Sequence, residues 1–316
     1  MSDVFISQQS YGKDNIRLIK VFRNKNWHEV VELTIDVLLD GDFTAAYTEA
    51  DNSKIVATDS MKNTVYILAK QSSNVQNIEL FATEIGRHFI FTYSHVSQAN
   101  VSITKHKWTR MLVDGKFHDH SFYRDGEDTH NAKVIVTRIN NNDDENSIKI
   151  ESIESGLKNL LVLKTTGSKF SGFIRDKYTT LPETNDRILS TSIDATWTYN
   201  IISPNVTSSI ENIIKFEFDN IFESIRSITL NTFATHDSES VQATLYLMAN
   251  SVLKSHPQIE SIRYELPNKH SFAYDLERFG LKNGESSEGN DADIFVPFDK
   301  PNGIITATIS RKKELL

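Results

Sequence analysis

The chain has 316 residues, room for one large or two medium domains with a real core, and its 39% hydrophobic and 24% charged content is that of a soluble globular protein. A net charge of −8 and a pI near 5.7 argue against a general binder of nucleic acid or membrane surface, which needs a basic footprint. They leave room for a small anion held by one Arg and a few backbone N–H groups. With no cysteine, disulfides, thiolate zinc sites, iron–sulfur clusters and Cys nucleophiles are excluded. The start, MSDVFISQQS, has no basic region followed by an apolar run, and no apolar run approaches the roughly 20 residues needed to span a bilayer.

In chain order, residues 1–10 read as a mobile tail. Two strands follow, over Ile16–Arg23 and Val30–Leu39, the second a β-branched run with partial alternation. Gly41-Asp42 marks a turn. Thr58 or Asp59 is a natural N-cap for a helix running to Lys70. A second helix fits Asn77–Tyr93, with Ile78, Phe81, Ala82, Ile85 and Phe89 on one face. Strands fit Asn100–Trp108 and Ala132–Ile139, with a hairpin-like His118–Arg124 segment between them, and Asn140–Asn146 reads as a loop.

The second half repeats this order. Strands fit Leu160–Thr165 and Arg187–Tyr199. Helices fit Ser209–Phe233, with Phe218, Ile221, Phe222, Ile225 and Ile228 aligned, and Ser240–Ser255, with Val241, Leu245, Met248 and Val252 aligned. His256-Pro257 ends the last helix. Strands fit Ile259–Leu266 and Ile304–Ile309, and Lys282–Asp291 is a polar loop. Two strands, two helices and two strands, taken twice, give an α+β fold of antiparallel sheets with helices on one face. The other face of each sheet must be covered, and an oligomer is one way to cover it.

The stretch Gly167–Trp197 concentrates chemistry. Arg187 follows Glu183 and Asp186; the plain reading is a salt bridge, the functional one a guanidinium fork gripping a planar ligand. Phe170, in a Gly/Ser-rich loop, is either a core plug or a stacking platform for a π ring. Val241 and Gln242 fall in the first turn of a helix. The Val241 side chain fits the core stripe, while its N–H faces outward and favours anions, and the Gln242 amide can donate and accept side by side. In Leu266-Pro267-Asn268-Lys269-His270 the Pro stops a strand and sets Asn268 and His270 on a rigid bend. Lys13 is a surface lysine or, desolvated, a base; Thr58 is a helix cap or a hydroxyl that passes a proton. His118 and His120 share a face of a strand, as a metal would require, with His106 or His130 the distant candidates for a third ligand.

These segments resemble urate oxidase, the uricase family. The resemblance runs from residue 11 to residue 311 through YGKDNIRLIKV, ADNSKIVATDSMKNT, HDHSF, LVLKTTGSKFSGFIRDKYTTLPETNDRILSTSIDATW, SVQATLYLMA, LPNKHSF and PNGIITATISR. It implies two tandem T-fold domains, 1–140 and 141–316, in a tunnel-shaped homotetramer whose active sites are shared between chains. It implies cofactor-free and metal-free oxidation of urate by O₂ to 5-hydroxyisourate and H₂O₂. Lys13, Thr58 and Asp59 would come from one chain, and Phe170, Arg187, Val241, Gln242, Asn268 and His270 from its neighbour. Phe170 would stack on the purine, with Arg187 and Gln242 as pincers helped by the Val241 N–H, and Thr58 on the opposite edge. Lys13, Thr58 and His270 would relay protons, and Asn268, with Thr58, would hold dioxygen and later water. Two other readings are a purine-binding T-fold protein without turnover and, from His118 and His120, a metal-assisted purine or pterin hydrolase. No nucleic-acid or membrane partner is expected. The C-terminus lacks a Ser-Lys-Leu-type peroxisomal signal, so a cytoplasmic location is expected, with a peroxisomal one the alternative for a eukaryotic chain.

Overall fold

Alternation of apolar and polar side chains decides where the strands lie. The computed structural model describes residues 4–139, 148–201, 213, 215–284 and 291–312. In chain order it forms β1 (Tyr11–Asn24), β2 (Trp27–Gly41), α1 (Thr44–Thr48), α2 (Thr58–Gln71), α3 (Ile78–Thr92), β3 (Val96–His106), β4 (Thr109–Val113), β5 (Lys116–Tyr123) and β6 (Thr129–Arg138). Then come β7 (Ile148–Lys164), β8 (Leu189–Tyr199), α4 (Phe218–Thr235), α5 (Val241–Ser255), β9 (Ile259–Ala273) and β10 (Phe295–Ser310). The expectations for 140–146, for 209–212 and 214, and for the middle of the 282–291 loop fall on residues outside those described. Among the described residues no helix is long and apolar enough to cross a membrane.

The chain divides into two compact units, residues 1–156 with 198–222, and residues 157–197 with 223–316. In the first unit the sheet order is β1-β2-β3-β6-β7, and the pairs β1–β2, β2–β3 and β3–β6 are antiparallel. One face of β2 is wholly buried through Val31, Leu33, Ile35, Val37 and Leu39, and Val101, Ile103, Val134 and Val136 continue that face on β3 and β6. Each such side chain contributes roughly 1.5–3 kcal/mol by leaving water. Helix α3 lays its buried stripe of Ile78, Phe81, Ala82, Ile85 and Phe89 on β3 and β6, and α2 packs on β1. The stripe is the one the 3.6-residue period predicts, and Asn77 caps it by accepting from the Leu80 N–H.

One buried carboxylate fastens these layers. Glu79, in the first turn of α3, has no exposed surface. It lies 2.9 Å from His130 Nε2 of β6 and accepts from the Ser155 hydroxyl of β7. The imidazole stacks on Phe222, with centroids 4.0 Å apart. Burial opposes the charge on Glu79, but His130 and the Ser155 hydroxyl outweigh it and hold the carboxyl below its usual range.

In the second unit the sheet order is β7-β8-β9-β10, with β9 and β10 antiparallel and α5 packed on both. On β8, Leu189, Ile193, Ala195 and Trp197 alternate into the core, and the α5 stripe Val241, Leu245, Met248 and Val252 is buried as its spacing predicts. The fold is α+β, as expected.

The structure corrects the sequence reading at four places. The polar stretch after Gly41 carries the short helix α1. Thr58 and Asp59 are not caps: α2 begins at Thr58, and Ala57 precedes it in extended geometry with no side-chain cap. The entry is set instead by Tyr11, whose hydroxyl accepts from the Val56 N–H at 2.7 Å and donates to the Val56 carbonyl at 3.3 Å. Strand β8 begins two residues after Arg187, which sits on the approach to it. Finally, β9 runs straight through Pro267 to Ala273, with Pro267 opposite Ile304. The facing strand breaks register between Phe298 and Gly303, opposite the His270–Asn268 stretch that follows Pro267.

Candidate active site

The second unit gathers most of the candidates. Asn268 and His270, two apart on a continuous strand, present to the same side of β9. With Arg187, Ile188, Thr184, Pro182 and Phe272 they line a cleft of about 210 Å³. The Arg187 guanidinium lies 5.2 Å from the centre of the Phe170 ring. Its Nε is buried without a hydrogen-bond partner, and burial pushes the group's pKa down. A buried donor left unmet costs about 1–3 kcal/mol, so this arrangement favours a ligand that accepts from it.

The carboxylates beside Arg187 do not pair with its side chain. Asp186 Oδ1 accepts from the N–H groups of Gly167 (2.8 Å) and Ser168 (3.3 Å), and Oδ2 accepts from the Thr166 hydroxyl (2.5 Å). Glu183 accepts from the Gly172 N–H at 3.1 Å. The salt bridge open in the sequence is therefore not formed, and the guanidinium is left for other anions.

Phe170 is neither a loose loop residue nor a core plug. Its N–H and carbonyl make a bridge with Thr184 at 2.9 and 3.0 Å. Its ring is half-buried and stacks on Phe173, with centroids 4.8 Å apart and planes 14° apart. Gly167 makes the turn into this loop at a φ of 74°, a region that suits glycine. The loop is also tied to the entry of α5. Ser238 donates its N–H to the Gly167 carbonyl (2.9 Å) and accepts the Lys169 N–H (2.7 Å), while the Lys169 ammonium lies 2.8 Å from Asp237. Ser240 then caps α5 by accepting from the Ala243 N–H. Val241 is buried and Gln242 exposed at the first two helical positions, where N–H groups have no intrahelical carbonyl to meet.

The first unit holds the other three. Lys13 lies on β1 opposite Val37, just before a break in register that ends at Ile16. Gly12 is required beside it, because a Cβ there would sit 1.8 Å from the Val37 carbonyl oxygen. Thr58 is half-buried, and its hydroxyl is not used as a helix cap. Asp59 is exposed and held below the usual carboxylate range, first by Lys62, then by Asn63 and, in smaller part, by the charge of Lys13. The Tyr11–Val56 bonds pin the start of α2 to β1, which brings Lys13, Thr58 and Asp59 into one neighbourhood.

His118 and His120 lie on β5 with ring centroids 4.6 Å apart, but the candidate third ligands are engaged elsewhere. His106 lies 2.8 Å from the Thr34 hydroxyl, and His130 is the partner of Glu79. Among the described residues no three His, Asp or Glu side chains form a group able to hold a metal.

The second unit thus brings together an aromatic ring, a guanidinium whose Nε has no partner and, through the Gly167–Ser238 ties, the start of a helix. Residues 9–135 and 153–306 match the family model described as Uricase. The uricase of Emericella nidulans is 47% identical over 312 residues, covering 98% of each chain, and that of Aspergillus flavus 46% over 306 residues, covering 95% of each. The crystal structure of uricase from Arthrobacter globiformis matches with a TM-score of 0.83 at 36% identity, covering 100% of this chain and 98% of that one. The chain belongs to the uricase family.

Sequence reasoning passed over Asp186 and Glu183 as anything but partners of Arg187, and did not name the cleft walls at Pro182, Phe272 and Phe295. For the carboxylates a signal existed: two acids beside a Gly/Ser loop rich in free N–H groups are as apt to bind those as a cation.

Proposed function

We propose that the chain oxidises urate with O₂ and water to 5-hydroxyisourate and H₂O₂, without metal or organic cofactor. Urate, O₂ and H₂O sum in atoms to 5-hydroxyisourate and H₂O₂, so two electrons pass from the purine to O₂ and no other oxidant is needed. The observation that carries the reading is the unpaired, half-buried Arg187 guanidinium beside the Phe170 ring at the Asn268–His270 cleft, in a member of the uricase family.

Phe170 stacks on the purine plane, and Arg187 and Gln242 grip its carbonyl and ring-nitrogen edge with help from the Val241 N–H. The α5 N-terminus favours the negative charge of urate despite the acidic chain. Thr58 contacts the opposite edge, with Asp59 beside it. Lys13, Thr58 and His270 relay protons, so that urate becomes electron-rich enough to give an electron to O₂ held by Asn268 and Thr58. Direct reaction of singlet urate with triplet O₂ is spin-restricted, and transfer of one electron at a time removes that restriction. Fixed dipoles aimed at the developing charge supply the stabilisation.

The two T-fold domains, 1–140 and 141–316, assemble in this reading as a tunnel-shaped homotetramer. Lys13, Thr58 and Asp59 of one chain complete the site built by Phe170, Arg187, Val241, Gln242, Asn268 and His270 of another. The test is to add urate in air-saturated buffer and follow its ultraviolet absorbance together with peroxide. Loss of urate with peroxide release is expected. Tight binding with no loss of urate would leave a purine-binding protein instead.

A further inference from the structure

Asp186 stands one residue before the guanidinium and yet turns its carboxylate away from it. Both oxygens are taken by the loop that carries the aromatic platform: Gly167 and Ser168 N–H on one, the Thr166 hydroxyl on the other. The Asp186 carbonyl accepts from the Thr184 hydroxyl at 2.5 Å, and Thr184 is also the residue whose backbone bridges Phe170. One short segment, 184–187, thus holds the Phe170 loop at its root through a carboxylate and at its tip through a two-bond bridge. The last residue of that segment is Arg187 itself.

Two consequences follow. The separation of the Phe170 ring and the Arg187 guanidinium is fixed by contacts within these two segments, so the angle between platform and clamp is set before a ligand arrives. And the carboxylate, having met three donors of the loop, is not spent on the neighbouring guanidinium, whose Nε remains without a partner. Burial opposes the Asp186 charge, but the Thr166 hydroxyl and the N–H groups of Ser168, Gly167 and Arg187 outweigh it, and the carboxyl is held below its usual range.

We infer that Asp186 is a positioning residue for substrate binding, which locks the Phe170 platform to the Arg187 clamp and keeps the guanidinium free for the anionic purine. It does not touch the purine and moves no proton. The inference rests on the urate-oxidising reading of this site.

The test compares Asp186→Asn and Asp186→Ala with the parent for urate kinetics and for equilibrium binding of xanthine, a flat purine without the C8 oxygen. The alanine variant is expected to raise the urate KM and the xanthine Kd together, by about tenfold or more, with kcat falling less than threefold, since it disturbs binding common to ground and transition states. The asparagine variant keeps one acceptor for the loop N–H groups and is expected to recover most of the affinity. Should the alanine chain not fold, Thr166→Val removes one exposed donor alone and is expected to raise KM in the same sense by a smaller factor. Unchanged KM and Kd in soluble Asp186→Ala, or in Thr166→Val where the alanine chain does not fold, or a fall in kcat alone, would overturn the inference. A parent protein that binds xanthine but leaves urate untouched would overturn the function and not this role, because the xanthine arm still reads the lock.

Discussion

An ammonium and a guanidinium serve different ends in the proposed site, and substitution separates them. Lys13→Met removes a titratable group from the relay and is expected to lower kcat by about 10²-fold or more while xanthine binding stays within a factor of about two. Arg187→Lys keeps the charge and loses the planar fork. It is expected to weaken xanthine binding by about tenfold, because one point charge cannot meet two edge atoms at once. Steady-state kinetics and titration calorimetry on the two variants check both; a Lys13→Met variant that loses affinity as much as rate would contradict the relay. Arg187 also shows where residue-level reading stops. Its two acidic neighbours were visible, but which donors those acids meet depends on how the 166–172 loop folds back, and that is a long-range fact.

At the scale of elements, the periodic stripes were legible because they report local geometry. The α3 stripe and the α5 stripe are both buried as spaced. What failed was the punctuation. Thr58 has cap chemistry, yet the α2 entry is decided by Tyr11 from a different strand. Pro267 has breaker chemistry, yet β9 passes through it and stays in register with Ile304 of β10. Both outcomes depend on strands distant in sequence, which a window of neighbours does not contain. For the site this mattered: a continuous β9 puts Asn268 and His270 on one side of a strand, and a helix that starts at Thr58 leaves its hydroxyl off the cap. The Glu79 network joining α3, β6 and β7 gives a stability prediction. The folded-state pKa of Glu79 lies below the value of about 4.5 for a free glutamate, so its contribution is present above that pH and is lost as pH falls through the folded-state value. Glu79→Gln leaves His130 without its carboxylate and is expected to destabilise the first unit by about 3 kcal/mol near neutral pH, the difference shrinking in acid as the pH falls through the folded-state value. Urea denaturation at both pH values measures it, and equal stability of the two chains near neutral pH would contradict the role given to this pair.

At the scale of the whole molecule, the proposal divides each site between chains, and complementation tests that division. Lys13→Met and Arg187→Ala are each expected to be nearly inactive alone. Co-expressed, they are expected to form mixed tetramers in which some sites take Lys13 from one chain and Arg187 from another, and urate oxidation is expected to return in those. No recovery in tetramers shown by mass to be mixed would mean that both residues act within one chain. The same scale governs the claim that no added redox group takes part, since any metal or flavin would have to travel with the assembled protein.

The central claim is tested most directly by the stoichiometry of the reaction in protein dialysed against a strong chelator and free of flavin absorbance. The account predicts undiminished urate loss, with one O₂ consumed and one H₂O₂ released per urate. Activity abolished by the chelator and restored by a divalent metal, or urate loss without peroxide, would contradict it.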